Sequence, residues 1–139
     1  MASTFQDKFT VQTSGRDLLE ITPQLNSAIR LTEVKIGTIH VFIQHTSASL
    51  LITENVDPSV LEDLETIMSR LVIDGDNAYQ HTAEGRDDMA AHARSVLTST
   101  ELTIPITHGR LALGTWQGVF LWEHRYRPHE RSMVVTIRD

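Results

Sequence analysis

Residues 38–58 read TIHVFIQHTSASLLITENVDP, and the change of pattern within this stretch decides the fold class. Residues 38–44 alternate, with Ile39, Val41 and Ile43 on one side and His40, Phe42 and Gln44 on the other. That two-residue period marks a strand with one face toward a core. His45 to Ala48 interrupts the run, Ser49 to Thr53 reads as a second short strand, and a helix then begins with Asp57 as N-cap and Pro58 in its first position. Val60, Leu61, Leu64, Ile67, Met68 and Leu71 follow at helical spacing.

Outward from this stretch the same reading continues. Residues 4–12 form a first strand, with Phe5, Phe9 and Val11 on one face. A short segment, Leu18 to Ile21, leads to Thr22 as N-cap and Pro23 at the start of a helix that carries Leu25, Ala28 and Ile29 to about residue 32. On the carboxyl side, Asp74-Gly75-Asp76-Asn77 opens a polar loop through Tyr79 and His81. A second helix, about residues 87–98, presents Met89, Ala93, Val96 and Leu97. The remainder is β: Leu102 to Thr107, a turn at His108-Gly109, Leu111 to His124, and Met133 to Ile137. Strands flanking central helices predict an α+β fold with mostly antiparallel sheet, and 139 residues predict one domain spanning 1–139.

Composition narrows function. The chain has no cysteine, which excludes disulfides, thiolate metal clusters and a cysteine nucleophile. A net charge of −6 disfavours a nonspecific nucleic-acid partner. The start MASTFQDKFTVQ lacks a basic stretch followed by an apolar run, so no signal peptide is predicted. No apolar run approaches the ~20 residues of a membrane helix. A cytoplasmic protein with no nucleic-acid or membrane partner is the expectation.

The seven histidines are the first chemical clue. His45 continues the inward parity of Ile39, Val41 and Ile43 and is followed by the hydroxyls of Thr46, Ser47 and Ser49. It is either a buried histidine bonded to the backbone or a group for metal ligation, proton transfer or anion binding. Glu54 at the end of an apolar strand needs a partner or solvent, whereas Asp57 is explained as a cap. Asp88 and His92 at i, i+4 share a helix face, as a ligand pair or a surface contact. His81 lies just upstream, but this is no compact motif, and only the fold could bring the three histidines together. Residues 119–124 are apolar on both faces. They form either a central strand covered by helices or, the expectation adopted, one whose second face meets another subunit. Glu123 within it is a candidate functional carboxylate. The basic stretch Arg125, Arg127, His129, Arg131 is either a solvated hairpin tip or a clamp for a substrate phosphate.

The stretches HTSASLLITENVDP (45–58), YQHTAEGRDDMAAH (79–92), LTIPITHGRLALGTWQGVFLWEHR (102–125) and VVTI (134–137) resemble the YjbQ family, described as secondary thiamine-phosphate synthase-like proteins. The resemblance covers roughly residues 5–138. It implies antiparallel sheets packed as a sandwich with two to three helices, assembled as a homotrimer. His45 stands in the family's H-T-x-A block; Glu54, Asn55 and Asp57 in its E-N-x-D-P block; His81 in Y-x-H. His92 matches the histidine of the second helix, Gly114, Thr115, Trp116 and Gln117 the signature block, and Glu123 the carboxylate after it. Where many relatives read D-A-H, this chain has Ala90-Ala91-His92, so Asp87 or Asp88 is left as the acid partner of His92.

The activity implied is transfer of hydroxymethylpyrimidine from its diphosphate to thiazole phosphate with release of pyrophosphate, as a principal or a side reaction. On that reading His45, His81 and His92 bind a divalent metal, Mg²⁺ or Zn²⁺. They share catalytic work with Glu54, Asp88 and Glu123, and Asp57 could help tune the ion. Thr46, Ser47, Ser49, Asn55, Thr115, Gln117 and Arg125 bind the substrate and its phosphates. The competing expectations are a metal-dependent hydrolase of a phosphorylated small molecule and a non-catalytic module that grips a metal or metabolite.

Overall fold

Alternating segments pair into two antiparallel sheets in the computed structural model, which describes residues 3–139; Met1 and Ala2, included in the expected domain, lie outside the described residues. The strands are β1 (Thr4–Gln12), β2 (Asp17–Glu20), β3 (Gly37–Ile43), β4 (Ala48–Glu54), β5 (Glu101–Thr107), β6 (Arg110–Leu111), β7 (Gln117–Glu123) and β8 (Glu130–Arg138). The helices are α1 (Thr22–Arg30), α2 (Pro58–Leu71) and α3 (Asp88–Leu97). One sheet has the order β1-β8-β3-β5-β6, the other β2-β7-β4. The α+β expectation holds, and no helix of the described residues is long and apolar enough to cross a membrane.

Strand parity assigns each face. Ile39, Val41 and Ile43 of β3, Met133, Val135 and Ile137 of β8, and Ile104 and Ile106 of β5 point inward from the larger sheet. They share one core with Leu50, Val119 and Leu121 of the smaller sheet and Leu25 and Ile29 of α1. Each such Leu or Ile, fully buried, stabilises the fold by about 1.5–3 kcal/mol relative to exposure. The opposite face of the small sheet carries Leu18, Phe120 and Trp122, which pack on Met68 and Val72 of α2 and its end and on Ala90 of α3. The second apolar face of β7 is therefore covered by this chain's own helices. The expected subunit contact there is not what fills it, because the inner faces of α2 and α3 already do.

Two local expectations also change. The predicted strand 111–124 is broken at 112–116, where Gln117 Oε1 accepts the Gly114 N–H at 2.8 Å and Gln117 N–H bonds Gly114 O at 3.1 Å. Thr22 is the first residue of α1 rather than its cap; its hydroxyl instead accepts the Val119 N–H at 2.8 Å and ties the helix to β7. Asp57 caps α2 as read, accepting the Ser59 N–H at 2.9 Å.

A polar layer runs between the small sheet and the helices. The Arg94 side chain is fully buried and forks onto Glu65 at 2.8 and 3.0 Å. His124, also fully buried, meets Ser49 Oγ at 2.8 Å. Burial, reinforced by the positive charge of Arg94, Arg16 and Arg131, lowers the His124 pKa to about 3. A histidine whose folded pKa lies below its unfolded value of about 6.5 contributes stability that is present above pH 6.5 and is lost as pH falls toward 3. His124 alone should therefore contribute a slope approaching about 1.4 kcal/mol per pH unit to the decline in stability measured by urea unfolding from pH 6.5 to 4.5. A His124→Asn variant should show a clearly flatter profile, and an equal slope in both proteins would contradict this placement of the imidazole.

Candidate functional site

The turn after β3 and the start of α3 meet at one end of the small sheet. Ala48 of β4 pairs with Glu123 of β7, so Thr46 just before β4 and Arg125 just after β7 emerge side by side. α3 begins at Asp88 above them, and its i, i+4 spacing puts His92 on the face that carries Asp88. The loop before α3 returns His81 to the same place. His81 Nε2 lies 2.5 Å and His92 Nε2 3.2 Å from Asp88 Oδ2, and the two rings are 5.4 Å apart. One donor atom from each residue falls within 4.8 Å of the others.

Asp88 is 3% exposed, whereas His81 is 46% and His92 30% exposed. Burial alone would raise the Asp88 pKa. The hydrogen bond from His81 and the charges of His92 and Arg125 outweigh it and hold the carboxyl below its ordinary value. Arg125 bonds the other Asp88 oxygen at 2.8 Å, Asp87 Oδ2 at 2.8 Å and the Glu84 carbonyl at 2.9 Å. The acid partner of His92 is thus Asp88. Asp87 is held by Arg125 and by the Tyr126 N–H at 2.8 Å, and these contacts, working against its burial, keep its pKa low.

The protons in this group follow from one backbone contact. His92 Nδ1 lies 2.9 Å from the Thr46 carbonyl, which can only accept, so the Nδ1 nitrogen carries hydrogen. His92 Nε2 faces a second acceptor, Asp88 Oδ2, at 3.2 Å. The two atoms repel at that separation unless a proton or a metal cation lies between them. A backbone carbonyl fixing Nδ1–H is the arrangement that orients a metal-ligating imidazole, and two imidazoles with one carboxylate form a donor set suited to a borderline divalent ion.

His45 does not join this group. Its Nε2 accepts the Ser132 N–H at 2.8 Å, which occupies the lone pair a metal would use. Burial first, then the nearby Arg131 charge, lower its pKa, so the ring is neutral at pH 7. Glu123 is fully buried and its oxygens are taken by Thr13 at 2.7 Å, by Arg131, and by the N–H groups of His124 and Arg125 at 3.0 and 3.1 Å. Those bonds overcome the burial that would raise its pKa and hold it low. Its task is to join the two sheets, and it presents no free oxygen to a ligand. Ser47 Oγ accepts from Arg131 at 3.0 Å and Ser49 Oγ faces His124, which leaves only the exposed Thr46 of the three expected hydroxyls open to solvent.

The remaining expected residues sit elsewhere. Glu54 pairs in register with Gln117 at the far end of β4 and β7, six residues or about 20 Å of strand from the histidines. There Glu54 accepts the Asp57 N–H at 3.3 Å, Asn55 donates to Glu20 at 3.2 Å, and Thr115 and the exposed Trp116 lie in the adjoining loop. Arg125, expected on a substrate phosphate, has its Nε and both terminal nitrogens engaged by the loop and helix. Replacing it with Gln leaves a buried carboxylate without a cation, and urea unfolding should show a loss of about 3 kcal/mol. Lys should recover only part of it, because one ammonium cannot reproduce the fork. A loss under 0.5 kcal/mol, of the order of an exposed pair, would contradict this role.

Comparison with known proteins identifies the family. The family described as UPF0047 protein YjbQ-like matches residues 7–139. The chain is 48% identical over 139 residues to UPF0047 protein sll1880 of Synechocystis sp., covering 98% of this chain and 95% of that protein. It is 39% identical over 135 residues to UPF0047 protein YjbQ of Escherichia coli O157:H7, covering 96% and 97%. A crystal structure of an uncharacterized conserved protein of the yjbq/upf0047 family from Clostridium acetobutylicum superposes with a TM-score of 0.86 at 32% identity, covering 94% of this chain and 98% of that one. By sequence and by fold, the chain belongs to the YjbQ-like UPF0047 family.

Proposed function

We propose that His81, Asp88 and His92 hold a divalent cation and that the protein is a metal-assisted enzyme acting on a phosphorylated small molecule. The observation that carries this reading is the convergence of one donor atom each from His81, Asp88 and His92 within 4.8 Å, with His92 Nδ1 turned to the Thr46 carbonyl and Nε2 to Asp88 Oδ2. The donor set favours Zn²⁺ over Mg²⁺, since Mg²⁺ prefers oxygen ligands throughout. When bound, such an ion supplies Lewis-acid stabilisation to charge developing on a departing phosphate or diphosphate. The chain's own groups do the rest. Arg125 keeps Asp88 ionised and pointed at the histidines, and the Thr46 carbonyl sets the His92 ring.

Within this reading, the resemblance supports a transferase that joins hydroxymethylpyrimidine diphosphate to thiazole phosphate with release of pyrophosphate, in a cytoplasmic homotrimer. Hydrolysis of a phosphorylated metabolite is the second reading, favoured by the exposure of His81, which lets bulk water reach the group. Product analysis separates the two: thiamine phosphate forms only by transfer, whereas hydrolysis releases phosphate with no second substrate present.

Zinc uptake tests the site itself. Equilibrium dialysis against Zn²⁺ should give one bound ion per chain, with affinity lowered at least tenfold in His92→Ala and Asp88→Asn. The His45→Ala variant should bind as the parent does, because Ser132 N–H already occupies that nitrogen. Uptake that survives His92→Ala unchanged, or is lost with His45→Ala in a folded protein, would overturn the assignment.

A further inference from the structure

We propose that the clefts beside the histidine–aspartate group form an anion subsite in which Arg86 and Arg127 grip a phosphate or diphosphate. The proposal deepens the reading above by naming the group the substrate presents, and it can be tested without the metal. Two clefts adjoin at residues 85–86. One, of about 350 Å³, is lined by Tyr79, His81 and Arg86; the other, of about 520 Å³, by Arg86, Arg125 and Arg127. Arg86 is thus shared between the histidine side and the Arg127 side, and an anion held on it faces both.

Three acids, Asp76, Glu84 and Asp87, line these clefts beside the three arginines Arg86, Arg125 and Arg127, but the ion pairs are unevenly distributed. Arg125 is consumed by Asp87 and Asp88. In the turn beneath Arg86, Asp74 spends both carboxylate oxygens on Arg16 at 2.6 Å and also accepts the Tyr126 hydroxyl, so its carbonyl is what meets Arg86, at 3.2 Å; Asp76, which lines the same cleft, accepts the Ala78 N–H at 2.8 Å. Glu84 lies 3.6 Å from His81. Among the described residues neither Arg86 nor Arg127 has a carboxylate partner. Two guanidinium groups without an ion pair line one cleft, and each presents the planar fork that binds phosphate oxygens in pairs.

Arg86 is also held in place before any ligand arrives. Gly75 has φ +62°, and a Cβ there would come within 2.5 Å of the Arg86 guanidinium carbon. The absent side chain lets the guanidinium lie on the 74–75 turn, which is closed by the Gly75 N–H on the Arg86 carbonyl at 2.9 Å. A cation already ordered in this way loses less side-chain entropy on binding.

Titration calorimetry of inorganic pyrophosphate into the chelator-treated protein tests the subsite. Arg127→Gln, at an exposed side chain, should weaken binding at least tenfold, and Arg86→Gln likewise, with Arg86→Lys recovering part of the loss. Arg30→Gln on α1 should change nothing, and thermal unfolding of each variant verifies that it is folded. Parent-like binding by Arg127→Gln, equal weakening by Arg30→Gln, or no pyrophosphate binding by the parent protein would overturn the subsite. The two claims fail separately: arginine-dependent pyrophosphate binding without zinc uptake refutes the metal reading alone. Zinc uptake with pyrophosphate binding indifferent to both arginines refutes the subsite alone.

Discussion

A carboxylate that is 3% exposed must remain ionised at the first turn of α3, and the surrounding architecture answers that requirement. Asp88 lies between Arg125 on one oxygen and two imidazoles on the other. An unpaired buried charge would cost several kcal/mol, so the loop carrying His81, the strand end carrying Arg125 and the helix carrying His92 are tied together through one side chain. The same tie keeps the histidines half open to solvent while their partner is sealed.

The position of that site follows from β7. Its inner face, Val119 and Leu121, closes the core against the larger sheet, while Phe120 and Trp122 support α2 and α3. At its end the strand delivers three polar residues in succession with three separate tasks. Glu123 bonds the sheets together through Arg131 and Thr13, His124 fills the layer beneath the helices, and Arg125 turns out to hold Asp88. Alternation of side chains along a strand separates these tasks by face.

Much of this was legible in the sequence because strand alternation and helix caps are local properties. β3, β4, the Asp57 cap and the i, i+4 pair Asp88–His92 all follow from near neighbours. What was not legible depends on distant chain. His45 shares the parity of a core strand, yet the N–H that occupies its nitrogen belongs to Ser132, 87 residues later. Apolar residues on both faces of β7 announce two coverings without naming them; the second is α2 and α3 of the same chain rather than a neighbouring subunit. Leu111 and Leu113 continue an apolar parity across the break at 112–116, which hides a loop held by Gln117. Arg86 is one exposed arginine that no local pattern marks; the left-handed Gly75 beneath it, in the Asp74-Gly75 turn, is the available signal.

The central claim is that residues 81, 88 and 92 share one cation while residue 45 stands apart. Anomalous diffraction from crystals of the protein grown with cobalt, a spectroscopic substitute for zinc, addresses it atom by atom. The account predicts one strong peak bonded to Nε2 of His81 and His92 and to an oxygen of Asp88, with the His45 ring still accepting the Ser132 N–H. A peak on His45, or a metal site that leaves His92 unbound, would contradict it.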